Sequence, residues 1–113
     1  MIRETSEQTF PRDVLARGGV TLVDFWAPDS GKSGVQAPIL EQFAADRPDV
    51  NVVKVNARRN PRLAGALGAK DFPYLVVFKD GRPLASTSGV QHGYALRQLV
   101  RVAEARAERI PEA

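Results

Sequence analysis

Ser30-Gly31-Lys32-Ser33 is the stretch whose residue types and spacing come nearest to a reactive site. Two hydroxyls stand three residues apart, the first just before an expected helix and the second inside its first turn. The unpaired N–H groups and the dipole of a helix start favour an anion there, and a thiol so placed ionises below its ordinary pKa of roughly 8.5. A hydroxyl does not, because without a strong adjacent base it stays protonated near neutrality, and two oxygens form no reversible redox bond. His92, the single histidine, falls at the expected start of the last helix as an exposed side chain, so no Ser–His pairing is in prospect. Ser30 with Lys32 lacks the spacing and the oxyanion donors of a serine–lysine nucleophile. Gly31-Lys32-Ser33 ends like a phosphate-binding loop, but the earlier glycine of that motif is replaced by Trp26.

A second chemical feature lies upstream. Val20 to Trp26 is almost continuously apolar except for Asp24. An acid in a strand buried on both faces loses hydration, which favours its neutral form and raises its pKa.

Composition narrows the function classes. The 113 residues are expected to form one domain spanning 1–113, with 43% hydrophobic content to bury in a core. The net charge is +3, but bases and acids are interleaved, so the surface reads as solvated and no nucleic-acid partner is expected. Arg58-Arg59 reads as a solvated loop pair. No run approaches the roughly 20 apolar residues of a membrane span, and the start of the chain lacks the blocks of a signal peptide. A cytoplasmic protein without membrane contact is therefore expected. There is no cysteine at all, which excludes disulfides, thiolate metal sites and thiol redox chemistry in this chain. No metal or cofactor is expected.

The elements that must position Asp24 and the Ser30 loop follow from pattern. Ile2 to Thr5 can make a short edge strand. Ser6 or Thr9 is expected to cap a first helix, with Pro11 in its first turn, Val14 and Leu15 on its buried side and Gly18-Gly19 at its end. Val20 to Trp26 is a strand. Val35, Ile39, Leu40 and Phe43 mark the inner face of a helix from about Ser33 to Asp46, which Pro38 should kink. Val50 to Asn56 is the next strand. Asn60-Pro61 starts a helix with Leu63, Ala66 and Leu67 inward and Gly68 at its end. Tyr74 to Lys79 and Arg82 to Ser88 form a hairpin about Asp80-Gly81. Tyr94, Leu96, Leu99, Val100 and Val102-Ala103 mark a last helix to about Arg109, ended by Pro111. The order βαβαββα predicts an α/β fold, a central mixed sheet flanked by helices on both faces.

From about Ser6 to Val102 the chain resembles the thioredoxin family. The resemblance is carried by Val23-Asp24-Phe25-Trp26-Ala27, Ala37-Pro38-Ile39-Leu40, Phe72-Pro73-Tyr74, Val77-Phe78-Lys79-Asp80-Gly81 and Ser88-Gly89-Val90. It implies the thioredoxin fold and, for the family, thiol–disulfide exchange in protein substrates. It places Ser30 and Ser33 at the positions of the nucleophilic and resolving cysteines, Asp24 at the proton-shuttling acid and Lys54 at its paired lysine. It also implies a cis bond at Phe72-Pro73 and an extended-peptide groove rimmed by Gly31, Pro73, Gly89 and Val90, with Trp26 supporting the loop. Asp29 stands where the family usually has Trp, making the rim acidic and less sticky, and Lys32 replaces the usual Pro. A cation there is compatible with an active site if sulfurs were present.

Two functions fit a member without cysteines. One is a redox-inactive form of an oxidoreductase whose two cysteines are replaced by serine, a replacement consistent with the retained Asp24. The other is a naturally redox-silent protein acting by binding, assembly or chaperone-like contact, toward which Asp29 and Lys32 lean. Both imply protein or peptide segments as partners, and a cysteine-containing form would be served by a thioredoxin reductase.

Overall fold

The computed structural model describes residues 2–110; Pro111, expected to end the last helix, lies outside the described residues. Strands β1 (Arg3–Glu4), β2 (Val20–Trp26), β3 (Asn51–Asn56), β4 (Tyr74–Lys79) and β5 (Arg82–Ser88) form one sheet in the order β1-β3-β2-β4-β5. β1 and β2 run parallel to β3, β2 pairs antiparallel with β4, and β4 with β5. From β2 onward, helices α1 (Gly31–Asp46), α2 (Pro61–Ala66) and α3 (Gly93–Glu108) give the βαβαββα order expected of the thioredoxin fold, with β1 ahead of it.

Alternation along β2 separates two cores, because successive side chains in a strand point to opposite faces. Val20 and Leu22 join Leu40 and Phe43 of α1 and Leu96, Val100 and Ala103 of α3. Val23 and Phe25 point the other way, toward Phe10, Val14 and Ala64. Helices therefore cover both faces. By the same alternation Asp24 lies on the α1 side, the one charged position in that row of β2.

Several local expectations change. The first helix shrinks to a five-residue π-type turn, Pro11–Leu15, preceded by Phe10 without a side-chain cap. Ser6 and Thr9 instead close a turn of their own, with the Ser6 N–H donating to Thr9 Oγ1 at 3.0 Å. Leu15 is exposed, and buried Asp13 shares the inner side with Val14. Asp13 accepts from the hydroxyl of Thr5 at 2.9 Å and from Arg12 at 3.0 Å. Its pKa falls to about 2, with the Arg12 bond as the main cause. In α1 the buried row is Ser33, Gln36, Leu40 and Phe43, while Val35 points outward. The helix begins at Gly31, not Ser33, and continues through Pro38. In α2, Ala64 and not Ala66 is buried. Tyr94 and Val102 of α3 are exposed, leaving Leu96, Val100 and Ala103 inward.

The hairpin turn is locked against the end of the π-type turn. Asp80 adopts φ 51° and Gly81 φ 80°. Asp80 Oδ1 accepts the Gly19 N–H at 2.7 Å, and the Asp80 N–H donates to Gly19 O at 2.9 Å. A Cβ on Gly81 would collide with the backbone carbonyl oxygen of Leu15. Gly81→Ala therefore combines a left-handed penalty with an overlap that flexible side chains cannot relieve. It should destabilise the protein by about 2–4 kcal/mol in urea unfolding; a loss below about 1 kcal/mol would show that the turn relaxes freely.

Candidate functional site

The site is assembled where β2 ends. β2 is central, so its C-terminal end delivers residues 27–30 between the loop after β3 and the loop before β4. Ser30 is the N-cap of α1, in extended conformation, and its Oγ accepts the N–H of Ser33 at 3.4 Å. A serine here satisfies one of the helix's orphan donors, as N-cap residues do. Its hydroxyl also donates to the carbonyl oxygen of Phe72 at 3.0 Å. Ser33, buried, accepts the Ala27 N–H on its Oγ at 3.2 Å. Both hydroxyls are thus built into the loop's hydrogen bonding.

The facing loop carries a cis peptide bond between Phe72 and Pro73. Pro73 O accepts the N–H of Gly89 at 2.9 Å, and Gly89 has φ 87°. Ser30, Phe72, Pro73 and Gly89 are therefore joined in one hydrogen-bonded chain, with Val90 following. Gly31 and Lys32 lie exposed in the first turn of α1, and a Cβ on Gly31 would stand in open space.

Beneath the loop, Asp24 pairs in register with Lys54 on β3 and with Leu75 on β4. It is 3% exposed, and its Oδ1 has no hydrogen-bond partner. Burial raises its pKa to about 7, opposed by the Lys54 charge. Asp24, Trp26, Ser30, Ser33, Gly34 and Lys54 line one pocket of about 300 Å³. The half-buried Trp26 also donates its indole N–H to Glu4 Oε2 at 3.1 Å.

Asp29 does not leave the rim acidic. Arg58 binds it through two bonds of 2.9 Å each and lies 5.2 Å from the centre of the Phe72 ring. The Arg58 bond holds the Asp29 carboxyl below its usual pKa. Arg58 is therefore not merely solvated: it ties the Ser30 loop, the loop after β3 and the Phe72 loop together. Sequence reading missed this link because the partners lie far apart along the chain. It also passed over Gln36, fully buried in α1 and bonded to the backbone of Gln91. The available signal was a polar residue in the helical row Ser33, Gln36, Leu40, Phe43. His92 is the exposed N-cap of α3, without a side-chain cap bond.

A mixed sheet covered on both faces, with a helix-start loop hydrogen-bonded to the carbonyl before a cis-proline, is the architecture of the thiol–disulfide oxidoreductase class. The chain belongs to the thioredoxin family, whose model matches residues 1–102. It is 39% identical over 85 residues to Thioredoxin 1 of Synechococcus elongatus, covering 74% of this chain and 79% of that protein. It is 37% identical over 89 residues to a thioredoxin of Rhodospirillum rubrum, covering 78% and 86%. A thioredoxin of Bacillus subtilis is 34% identical over 100 residues, covering 88% and 94%. Thiol–disulfide exchange is the family's role, and this chain has no cysteine with which to perform it. Among the described residues, no helix is long and apolar enough to cross a membrane.

The buried acid makes stability depend on pH. Between the unfolded value near 3.8 and the folded value near 7, the native state holds a proton that the unfolded chain has released. Stability from this group is thus present at low pH and declines as pH rises through that window, by on the order of 2–4 kcal/mol. Asp24→Asn should flatten that decline when urea unfolding is compared at pH 5 and pH 8. An unchanged slope would mean that the carboxyl is ionised, and hydrated, in the folded protein.

Proposed function

We propose that the site is a thiol–disulfide exchange platform that lacks its sulfurs. As it stands, it recognises an extended segment of another protein along a surface rimmed by Gly31, Pro73, Gly89 and Val90, without forming a covalent bond. Ser30 and Ser33 hold the positions of the attacking and resolving thiols. Asp24, moderated by Lys54, holds that of the group that moves a proton to and from the second. Trp26, Asp29, Gly31, Lys32 and Phe72 complete the surface that a partner meets. The whole chain, 1–113, acts as one domain, and its compartment is the cytoplasm, where proteins without disulfides are at home.

The observation that carries this reading is Asp24. A carboxyl 3% exposed, with one oxygen unpartnered, in a pocket shared with Ser33, costs stability, and neither hydroxyl needs it. A pKa near 7 suits an acid or base that works near neutrality. A protein whose only task was structural would be more stable with an apolar residue there. In this reading the chain is a cysteine-to-serine form of an oxidoreductase.

A second reading, a naturally redox-silent binding, assembly or chaperone-like protein, is favoured by the Asp29–Arg58–Phe72 cluster. That cluster covers one face of the Phe72 ring and neutralises the rim, which changes what can dock.

The double substitution Ser30→Cys with Ser33→Cys separates the two. Reduction of a disulfide-bonded protein, with a small dithiol or a thioredoxin reductase as electron source, should rise at least a hundredfold above the serine form. Adding Asp24→Asn should then lower that rate about tenfold or more at pH 7. Absence of turnover in the doubly substituted protein would remove the exchange reading and leave the binding one.

A further inference from the structure

We propose that Gln36 is the positioning residue of the peptide groove: its buried amide fixes the segment around Val90 so that the main chain of Val90 can pair with an extended partner. The proposal rests on the groove reading above and deepens it. Gln36 is 0% exposed and sits one turn beyond Ser33 on the same face of α1. Its Nε2–H donates to Gln91 O at 2.9 Å, and its Oε1 accepts the Gln91 N–H at 2.7 Å. One side chain thus engages both main-chain groups of one residue, as a neighbouring strand would.

A leucine would fill a buried helix position without having to desolvate an amide, so packing alone gives no reason for glutamine. What the amide adds is geometry, since a fully satisfied buried polar pair admits one arrangement. The tie is matched on the other side of Val90. The Gly89 N–H is held by Pro73 O, and the side-chain amide of Gln91 donates to Gly89 O at 3.3 Å and Ser88 O at 3.4 Å. Gly89 and Gln91 are both pinned, one to the cis-proline loop and one to α1. Half-buried Val90 lies between them, and among the described residues its own N–H and C=O enter no hydrogen bond. A short stretch of main chain, immobilised at both ends and open in the middle, is preorganised for strand addition. Gln36 connects it directly to the helix that Ser30 caps, so the loop and the far rim keep one spacing.

The test uses the Ser30→Cys protein and two disulfides: a ten-residue extended peptide carrying one mixed disulfide, and a small aromatic disulfide too short to reach Val90. In each case the thiolate at position 30 displaces one sulfur as a thiolate and forms a new S–S bond, so the ratio of the two rates reports the groove alone. Gln36→Leu should lower that ratio about tenfold, while the small disulfide reacts within about twofold of the parent rate and the unfolding midpoint is retained. Gln36→Glu supplies an internal control. Protonated at pH 5, its carboxyl donates to Gln91 O and accepts from Gln91 N–H, restoring the ratio; ionised at pH 8, it cannot donate, and the ratio falls. A ratio unchanged by Gln36→Leu, or flat with pH in Gln36→Glu, would overturn the proposal. Should Gln36→Leu fail to fold, the Glu variant decides. If the Ser30→Cys parent itself shows no preference for the peptide, the groove falls and this assignment falls with it.

Discussion

The arrangement depends on the pairing of β2 on both of its edges. Its parallel ladder to β3 and antiparallel ladder to β4 fix the depth at which Trp26 ends and the loop begins. Everything reactive in the family's design is set by that register. It lays Lys54 beside Asp24, puts the loop after β3 within reach of Asp29, and brings the Phe72 carbonyl to the Ser30 hydroxyl. A slip of one residue would turn Asp24 to the opposite face, into the cluster with Val23 and Phe25.

Against that rigid frame the polar groups divide by how they are satisfied. Ser30, Ser33 and Gln36 each make good hydrogen bonds, and together they tie α1 to the loop, to Phe72 and to Gln91. Asp24 does not: its burial opposes ionisation, and the neighbouring lysine relieves this only in part. Among the described residues, the one buried side-chain oxygen without a partner therefore lies in the pocket, beside well-paired hydroxyls. This contrast sets Asp24 apart from the polar groups that hold the loop in place.

Much of the frame was legible in the sequence because β2, β3 and β4 are dense in β-branched and aromatic residues and are bounded by clear turn signals. Asp24 stood out for the same reason, as the exception in an apolar run. The inner face of α1 was misread, since two of its four buried residues are polar and hydrophobic periodicity points to Val35 instead. The first helix was overestimated, since Ser6 and Thr9 spend their hydroxyls on a local turn. The Asp29–Arg58 pair could not be read at all. Nothing in a run of 29 residues says that two exposed charges will meet, and only the fold brings them together.

Trp26 is the chain's only tryptophan, and it lines two cavities, one shared with Asp24 and Ser33 and the other with Glu4, Asn56 and Arg59. Its indole N–H is anchored to β1 and its carbonyl accepts from Ala57. The protein thus carries a built-in optical probe, whose emission wavelength and quenching respond to solvent entering from the loop side or to loosening of the first strand. Light absorbed by one ring thus reports on both cavities at once.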